Sequence, residues 1–265
     1  MDNRGVTIVQ PTLWGDLDDG WEAQPGSGTS AGSDTSAGSD TSAGSGTSAG
    51  SGTSSGGRSA GTARPARAHD TFTALRGHTE RIVAHSSDRV AWLRARAMGI
   101  TATDVARLAS LRAVDAVVAD KRYGSRFAGN VYTEHGKERE PVIASWVAAT
   151  HGIQPSAHLF HAATNRAHLA TPDGVGLDRD GRLLLAEIKT TANGFTRVPR
   201  HYMRQVWWQQ YVLGADRTLF VWEKHDDFVP VADEPECRWI DRDDDAIRGL
   251  IALADLVLDR LRDAR

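Results

Sequence analysis

Hydrophobic and polar positions follow two different periods along this chain, and the change comes after Gly152. Before it the period is helical. "DRVAWLRARAMG" reads as one helix and "TATDVARLAS" as a second, with Thr101 as N-cap and Asp104 three residues on, the spacing of a capping box. "EREPVIASWVAATHG" sets Val142, Ile143, Trp146 and Val147 at helical spacing and stops at Gly152. Beyond that glycine, "AHLATPDGVGLD" and "RLLLAEIKTT" flank "DRDG", which is a hairpin signal. "RHYMRQVWWQQYVLGA" returns to helix, "RTLFVWEK" to strand, and "DAIRGLIALADLVLDRLRDAR" to an amphipathic helix. Helices, a hairpin, then helix, strand and helix predict an α/β domain around a small mixed β-sheet flanked by helices.

Large apolar side chains vanish from Gly26 to Gly57, where the hexad "GS(D/G)TSA" repeats and ends in "GTSSGG". Such a tract cannot offset the entropy of ordering, and reads as a flexible tether. It continues through "RSAGTARPARAHD" until apolar residues return at Phe72. The expected organisation is a short peptide over 1–25, a disordered Gly/Ser/Thr/Ala-rich linker over 26–69, and one folded domain over 70–265.

Composition narrows the choice of chemistry. The net charge of -3 over 265 residues gives no global basic signal. A single cysteine, Cys237, excludes a disulfide framework, a cysteine-ligated zinc finger and an iron–sulfur cluster. No apolar run approaches the roughly 18 residues that span a bilayer, and "MDNRGVTIVQ" has neither part of a secretory signal. A cytoplasmic protein with no membrane partner is expected.

The buried-strand pattern "LLLAEIKTT" ends by presenting Glu187 and Lys189 two positions apart, and so on one face. A hairpin turning at Arg179–Gly181 folds Asp173 of "TPDG" back beside Glu187. Two carboxylates on adjacent strands make an oxygen-rich site of the kind Mg²⁺ or Mn²⁺ prefers. Lys189 would orient or deprotonate a water, or steady developing negative charge. Glu140 of "GKEREP" would add a third carboxylate from a packed helix. The residues taken singly fit a surface Asp and a plain Glu–Lys pair equally well.

The ordered set is more specific. "TPDG", twelve intervening residues and "EIK", with a helical Glu before and a Gln-bearing helix after, resembles the PD-(D/E)XK nuclease superfamily. More narrowly it is similar to the YqaJ-type viral recombinases and the phage lambda exonuclease, over roughly Trp92 to Val221. The resemblance implies a restriction-endonuclease-like core and a Mg²⁺-dependent exodeoxyribonuclease, with Mn²⁺ as a substitute. It degrades linear duplex DNA from a 5′ end and feeds a single-strand annealing protein in recombination or repair. The family's "GxxxE" helix matches Gly136 and Glu140, its "SPDG" matches Asp173, and its "E-(I/L)-K" matches Glu187 and Lys189. Asp173 and Glu187 would then hold the cation, with the Ile188 carbonyl as an extra ligand and Glu140 in support. "RAMGITAT" matches the segment that binds the DNA 5′-phosphate, giving Arg96 and Thr103, with Thr103 where the family has serine. The "Y-x-x-QVQ" helix gives Tyr202 and Gln205 as DNA contacts, but Trp207 replaces its second glutamine. An endonuclease of the same superfamily, and a DNA-end-binding module with a vestigial site, are the alternatives. Lambda-type exonucleases form rings of three, so a homotrimer is one use for the stripe of Ile247, Leu250, Ile251, Ala254, Leu258 and Leu261; ordinary packing is the other.

Thr103 also falls in the first turn of a helix, where free N–H groups favour an anion, and Arg96 can add a bidentate clamp. Between Arg89 and Arg139 ten Lys/Arg stand against five Asp/Glu, a local excess that suits a DNA backbone or a solvated helix face. His158, His161 and His168 lack a carboxylate at metal-motif spacing. "QPTLW" resembles a bacterial sliding-clamp-binding peptide, with Gln10, Leu13 and Trp14 as its contacts. A linker of about 45 residues gives it a reach of roughly 35–40 Å.

Overall fold

Side chains at the helix starts satisfy the amides that a helix leaves open. Asp88 accepts from the Ala91 amide at 3.1 Å and begins α1 (Arg89–Met98). At the head of α2 (Ala102–Arg107) the expected capping box is present: the Thr101 amide donates to Asp104 Oδ2 at 2.7 Å and the Asp104 amide to Thr101 Oγ1 at 3.3 Å. The computed structural model describes residues 77–124 and 129–263; the expected peptide 1–25, the linker 26–69 and residues 70–76 lie outside the described residues.

Two helical features differ from the sequence reading. A helix α3 (Leu111–Tyr123) is added; only Val114 and Val117 of it are buried, so its apolar period is faint. The next helix, α4 (Val131–His151), starts well before "EREPVIASWVAATHG". Gly136 and Pro141 look like breakers in the sequence, but Asn130 caps the Thr133 amide at 3.0 Å and the helix runs through both. It ends as read, at Gly152 with φ 71°.

The larger sheet has six strands. β2 (Gln154–Pro155) pairs with β5 (Gly174–Leu177), which pairs antiparallel with β6 (Leu183–Thr191) from Gly174↔Ala186 to Leu177↔Leu183. This is the predicted hairpin. β6 then runs parallel to β7 (Arg217–Asp226), and a parallel neighbour requires a crossover, here α5 (Arg200–Leu213). β7 also pairs with β8 (Val229–Pro230) near its end and with β9 (Glu236–Asp241) along its start. A second, three-stranded sheet joins β1 (Ile82–His85), β3 (His158–His161) and β4 (Leu169–Ala170).

Strand β6 is covered on both faces, which explains its continuous apolar run. Leu184, Ala186 and Ile188 pack against Ile143, Ala144 and Val147 of α4. Leu183 and Leu185 pack on the other side with Trp208 and Val212 of α5. Glu187 and Lys189 continue this second row. The final helix α6 (Asp244–Asp263) sets Leu250, Ala254 and Leu258 in one cluster with Val114 and Val117 of α3, so the core takes its stripe. Among the described residues no helix is long and apolar enough to cross a membrane.

Candidate active site

Where β5 stops pairing with β6, Asp173 takes its place. Its amide donates to the Ala186 carbonyl at 3.1 Å, and its Oδ2 accepts from the Ile188 amide at 2.7 Å. Asp173 therefore lies directly across from Glu187, where the hairpin placed it only to about one position. A strand residue turns its N–H and C=O to the same side, so the Ile188 carbonyl faces the edge that Asp173 occupies.

Glu187 is 1% exposed, and both of its oxygens are engaged. Lys189 Nζ lies 2.9 Å from Oε1, and Gln205 of α5 donates to the same atom. Gln209, one helical turn further on, donates to Oε2 at 2.6 Å. Sequence reasoning picks out Gln205 but misses Gln209; an i, i+4 pair of glutamines facing a strand glutamate was the available signal. Lys189 also stands over the Tyr202 ring, 5.1 Å from its centroid.

Glu140 reaches the same place from α4. Burial and the Glu187 charge push its carboxyl up to about 8, against the pull of Lys189. Burial raises Asp173 well above the usual carboxylate range, and Glu187 and Glu140 raise it further. His201, at the start of α5, is lowered to about 4 by burial and by the charges of Lys189 and Arg204, so it stays neutral beside the lysine. Asp173, Glu187, Glu140 and Lys189 thus form one electrostatic cluster. Two of the three carboxylates are thus disfavoured as anions while no cation is present, and all-oxygen donors of this kind suit a hard dication, which would favour their ionised forms. Among the described residues no group of three or more His, Cys, Asp or Glu side chains stands close enough to hold a metal ion by itself.

The remaining expected residues have surroundings of their own. Arg96 is in the last turn of α1, its guanidinium 4.2 Å from the Trp92 ring centroid. Lys121 of α3 donates to the Arg96 carbonyl at 2.9 Å and pairs with Asp104 at 2.6 Å. Thr103 is half-buried in α2. Arg204 Nε donates to the Ala106 carbonyl at 2.8 Å, which ties the Thr103 helix to the helix of Gln205 and Gln209. Tyr202 is buried, packed on Phe195 and Phe220. Trp208 is core, with Nε1 donating to the Leu169 carbonyl at 3.0 Å. His158, His161 and His168 have separate surroundings: His158 meets His85, His161 bonds the Ala162 carbonyl, and His168 sits between Tyr211 and Asp255. Gln10, Leu13 and Trp14 lie outside the described residues.

Comparison with known proteins agrees with this architecture. Residues 91–216 match the model of the YqaJ-like viral recombinase domain. The chain superposes on LHK-Exo, an alkaline exonuclease from Laribacter hongkongensis, in its dAMP complex with a TM-score of 0.53 at 24% identity. That match covers 65% of this chain and 92% of the other. A second LHK-Exo crystal structure gives 0.52 at 22% identity with the same coverage. A phage-related exonuclease from Haemophilus somnus gives 0.50 at 15%, covering 63% of this chain and 96% of the other. At these identities the likeness shows the fold alone. No curated protein matches the chain.

Proposed function

Because residues 91–216 match the model of the YqaJ-like viral recombinase domain, we propose that this protein is a Mg²⁺-dependent deoxyribonuclease, a 5′-to-3′ exonuclease on linear duplex DNA acting in recombination or repair. The observation that carries the reading is one cluster that joins the buried Asp173 and Glu187 to the half-buried Glu140 and Lys189. Asp173, Glu187 and the Ile188 carbonyl would hold the cation, Mg²⁺ or in its place Mn²⁺, with Glu140 in support. A dication there would polarise the scissile phosphate and make a nearby water more acidic.

The protein's own groups do the rest. Lys189, fixed between the Glu187 carboxylate and the Tyr202 ring, positions the attacking water and steadies charge on the phosphate as it develops. Arg96 and Thr103 grip the terminal 5′-phosphate. Gln205 and Tyr202, already against Glu187 and Lys189, contact the DNA strand at the cut. The chain's partners on this reading are duplex DNA, a single-strand annealing protein, and two further copies of itself in a trimer. Residues 10–14 bring it to the bacterial sliding clamp through the 26–69 linker, and 70–265 is the nuclease domain.

The experiment gives purified protein linear duplex with 5′-phosphate, linear duplex with 5′-hydroxyl, and closed circular DNA, each with and without Mg²⁺. Mg²⁺-dependent loss of the 5′-phosphorylated linear duplex alone is the expected result. Nicking of the circle would identify an endonuclease. No cleavage of any substrate would identify a DNA-end-binding module.

A further inference from the structure

Three donors serve the Glu187 carboxylate, but they are shared unequally. Oε1 receives both Gln205 and Lys189, while Oε2 receives Gln209 at 2.6 Å. An ionised carboxylate has about four lone-pair positions, two on each oxygen. Oε1 is therefore filled, and Oε2 keeps one position open. The oxygen that Gln209 holds is thus the one left to meet a cation beside Asp173.

Gln209 occupies this place at a cost. It is 0% exposed, and its own Oε1 is buried without a hydrogen-bond partner. An orphaned buried acceptor is unfavourable, and an apolar side chain of the same volume would avoid the cost. Turning the amide over gives no relief, because it would aim an oxygen at a carboxylate. The neighbouring Gln210 also buries an Oε1 without a partner, and differs in where its amide nitrogen points. Its amide spans Thr218 Oγ1 and the Ile240 carbonyl, both at 3.0 Å, tying α5 to β7 and β9 away from Glu187.

We infer that Gln209 is a positioning residue for the metal site: it fixes the plane of the Glu187 carboxylate so that Oε2 presents one open lone pair toward the cation. The inference rests on the metal-site reading given above. It adds a residue outside the matched motif, whose second glutamine is Trp207 here, and it explains why a buried amide with an unmet acceptor sits at position 209. Groups that orient a ligand in this way commonly change metal affinity by about 10- to 100-fold when removed.

The test uses the full chain with Gln209→Met, Gln209→Leu, Gln210→Met and Glu187→Ala, and reads three quantities. These are the melting temperature in EDTA, the Kd for Mn²⁺ by calorimetry, and kcat and KM on 5′-phosphorylated duplex at saturating Mn²⁺. Gln209→Met is expected to melt within a few degrees of the parent, to weaken Mn²⁺ binding by about tenfold or more, and to lower kcat while KM for DNA stays the same. Gln209→Leu guards against a poorly folded first variant and is expected to behave alike. Gln210→Met should lower the melting temperature and leave the Mn²⁺ Kd unchanged. Parental Mn²⁺ affinity and kcat in either Gln209 variant would reduce the residue to packing and overturn the inference, while Glu187→Ala still abolishing Mn²⁺ binding would leave the metal site standing. If the parent binds no Mn²⁺ that Glu187→Ala removes, the metal-site reading fails and the inference with it.

Discussion

Asp173 and Glu187 are both buried carboxylates, yet their surroundings differ in a way that fixes what each mutation should do. Asp173 accepts one backbone amide and is otherwise opposed by Glu187 and Glu140. Removing it relieves repulsion. Asp173→Ala is expected to abolish hydrolysis while keeping or raising the melting temperature of the metal-free protein, checked by a nuclease assay beside a thermal scan. Lys189→Ala removes one preorganised charge and is expected to cut turnover by about 10²-fold or more, with DNA binding in Ca²⁺ little changed. Loss of binding with unchanged turnover would make Lys189 a DNA contact instead. Glu140 gives a pH dependence whose sign follows from its raised carboxyl. A raised folded value contributes stability at low pH that is lost as pH rises through it. In EDTA the protein should therefore lose stability between about pH 4.5 and about 8, and Glu140→Gln should flatten that slope. Mg²⁺ added at pH 8 should restore stability with release of protons, since the ligands bind it ionised. A flat parental profile would remove Glu140 from the cluster.

At the scale of elements, the site depends on how closely β5 and β6 approach. A Cβ on Gly174 would come within 2.9 Å of Ile153 Cγ2 and 3.0 Å of the Ala186 Cβ, so the chain passes where only glycine fits. Gly174→Ala is expected to push β5 off β2 and β6 and displace Asp173. Stability should fall by about 1–3 kcal/mol, as overpacking does, with a parallel loss of Mn²⁺ affinity in a binding titration. The hairpin was legible because its apolar runs flank "DRDG". From its apolar period helix α4 was legible only from Glu138 on, because Gly136 weakens local propensity and the Asn130 cap lies further upstream. The short β2, β4 and β8, of two residues each, have no period to read. They exist because longer strands offer them an edge.

At the scale of the whole chain, the basic excess from Arg89 to Arg139 lies in the stretch that carries Arg96 and Thr103 and leads into Glu140. The proposed clamp peptide lies in the separate N-terminal stretch. Deleting residues 1–60 should leave cleavage of naked linear DNA unchanged, because no residue of the cluster lies there. A synthetic peptide of Val6 to Asp18 should bind the bacterial sliding clamp in the micromolar range, with Leu13 and Trp14 as anchors. Equal binding after Leu13 and Trp14 are changed to Ala would dismiss the motif.

The sequence by itself determined the layout of the domain and most members of the cluster around Glu187. The change of period after Gly152 placed the hairpin, and the hairpin alone set Asp173 within about one position of Glu187, because pairing with period two leaves few registers. The i, i+2 spacing put Lys189 on the face of Glu187 for the same local reason. Only the tertiary structure decided what surrounds them. Gln209 reaches Glu187, and Glu140 and His201 sense Lys189, through the packing of α5 and α4 on the two faces of β6. Packing between distant elements follows from shape and volume, which no local pattern of polar and apolar positions encodes.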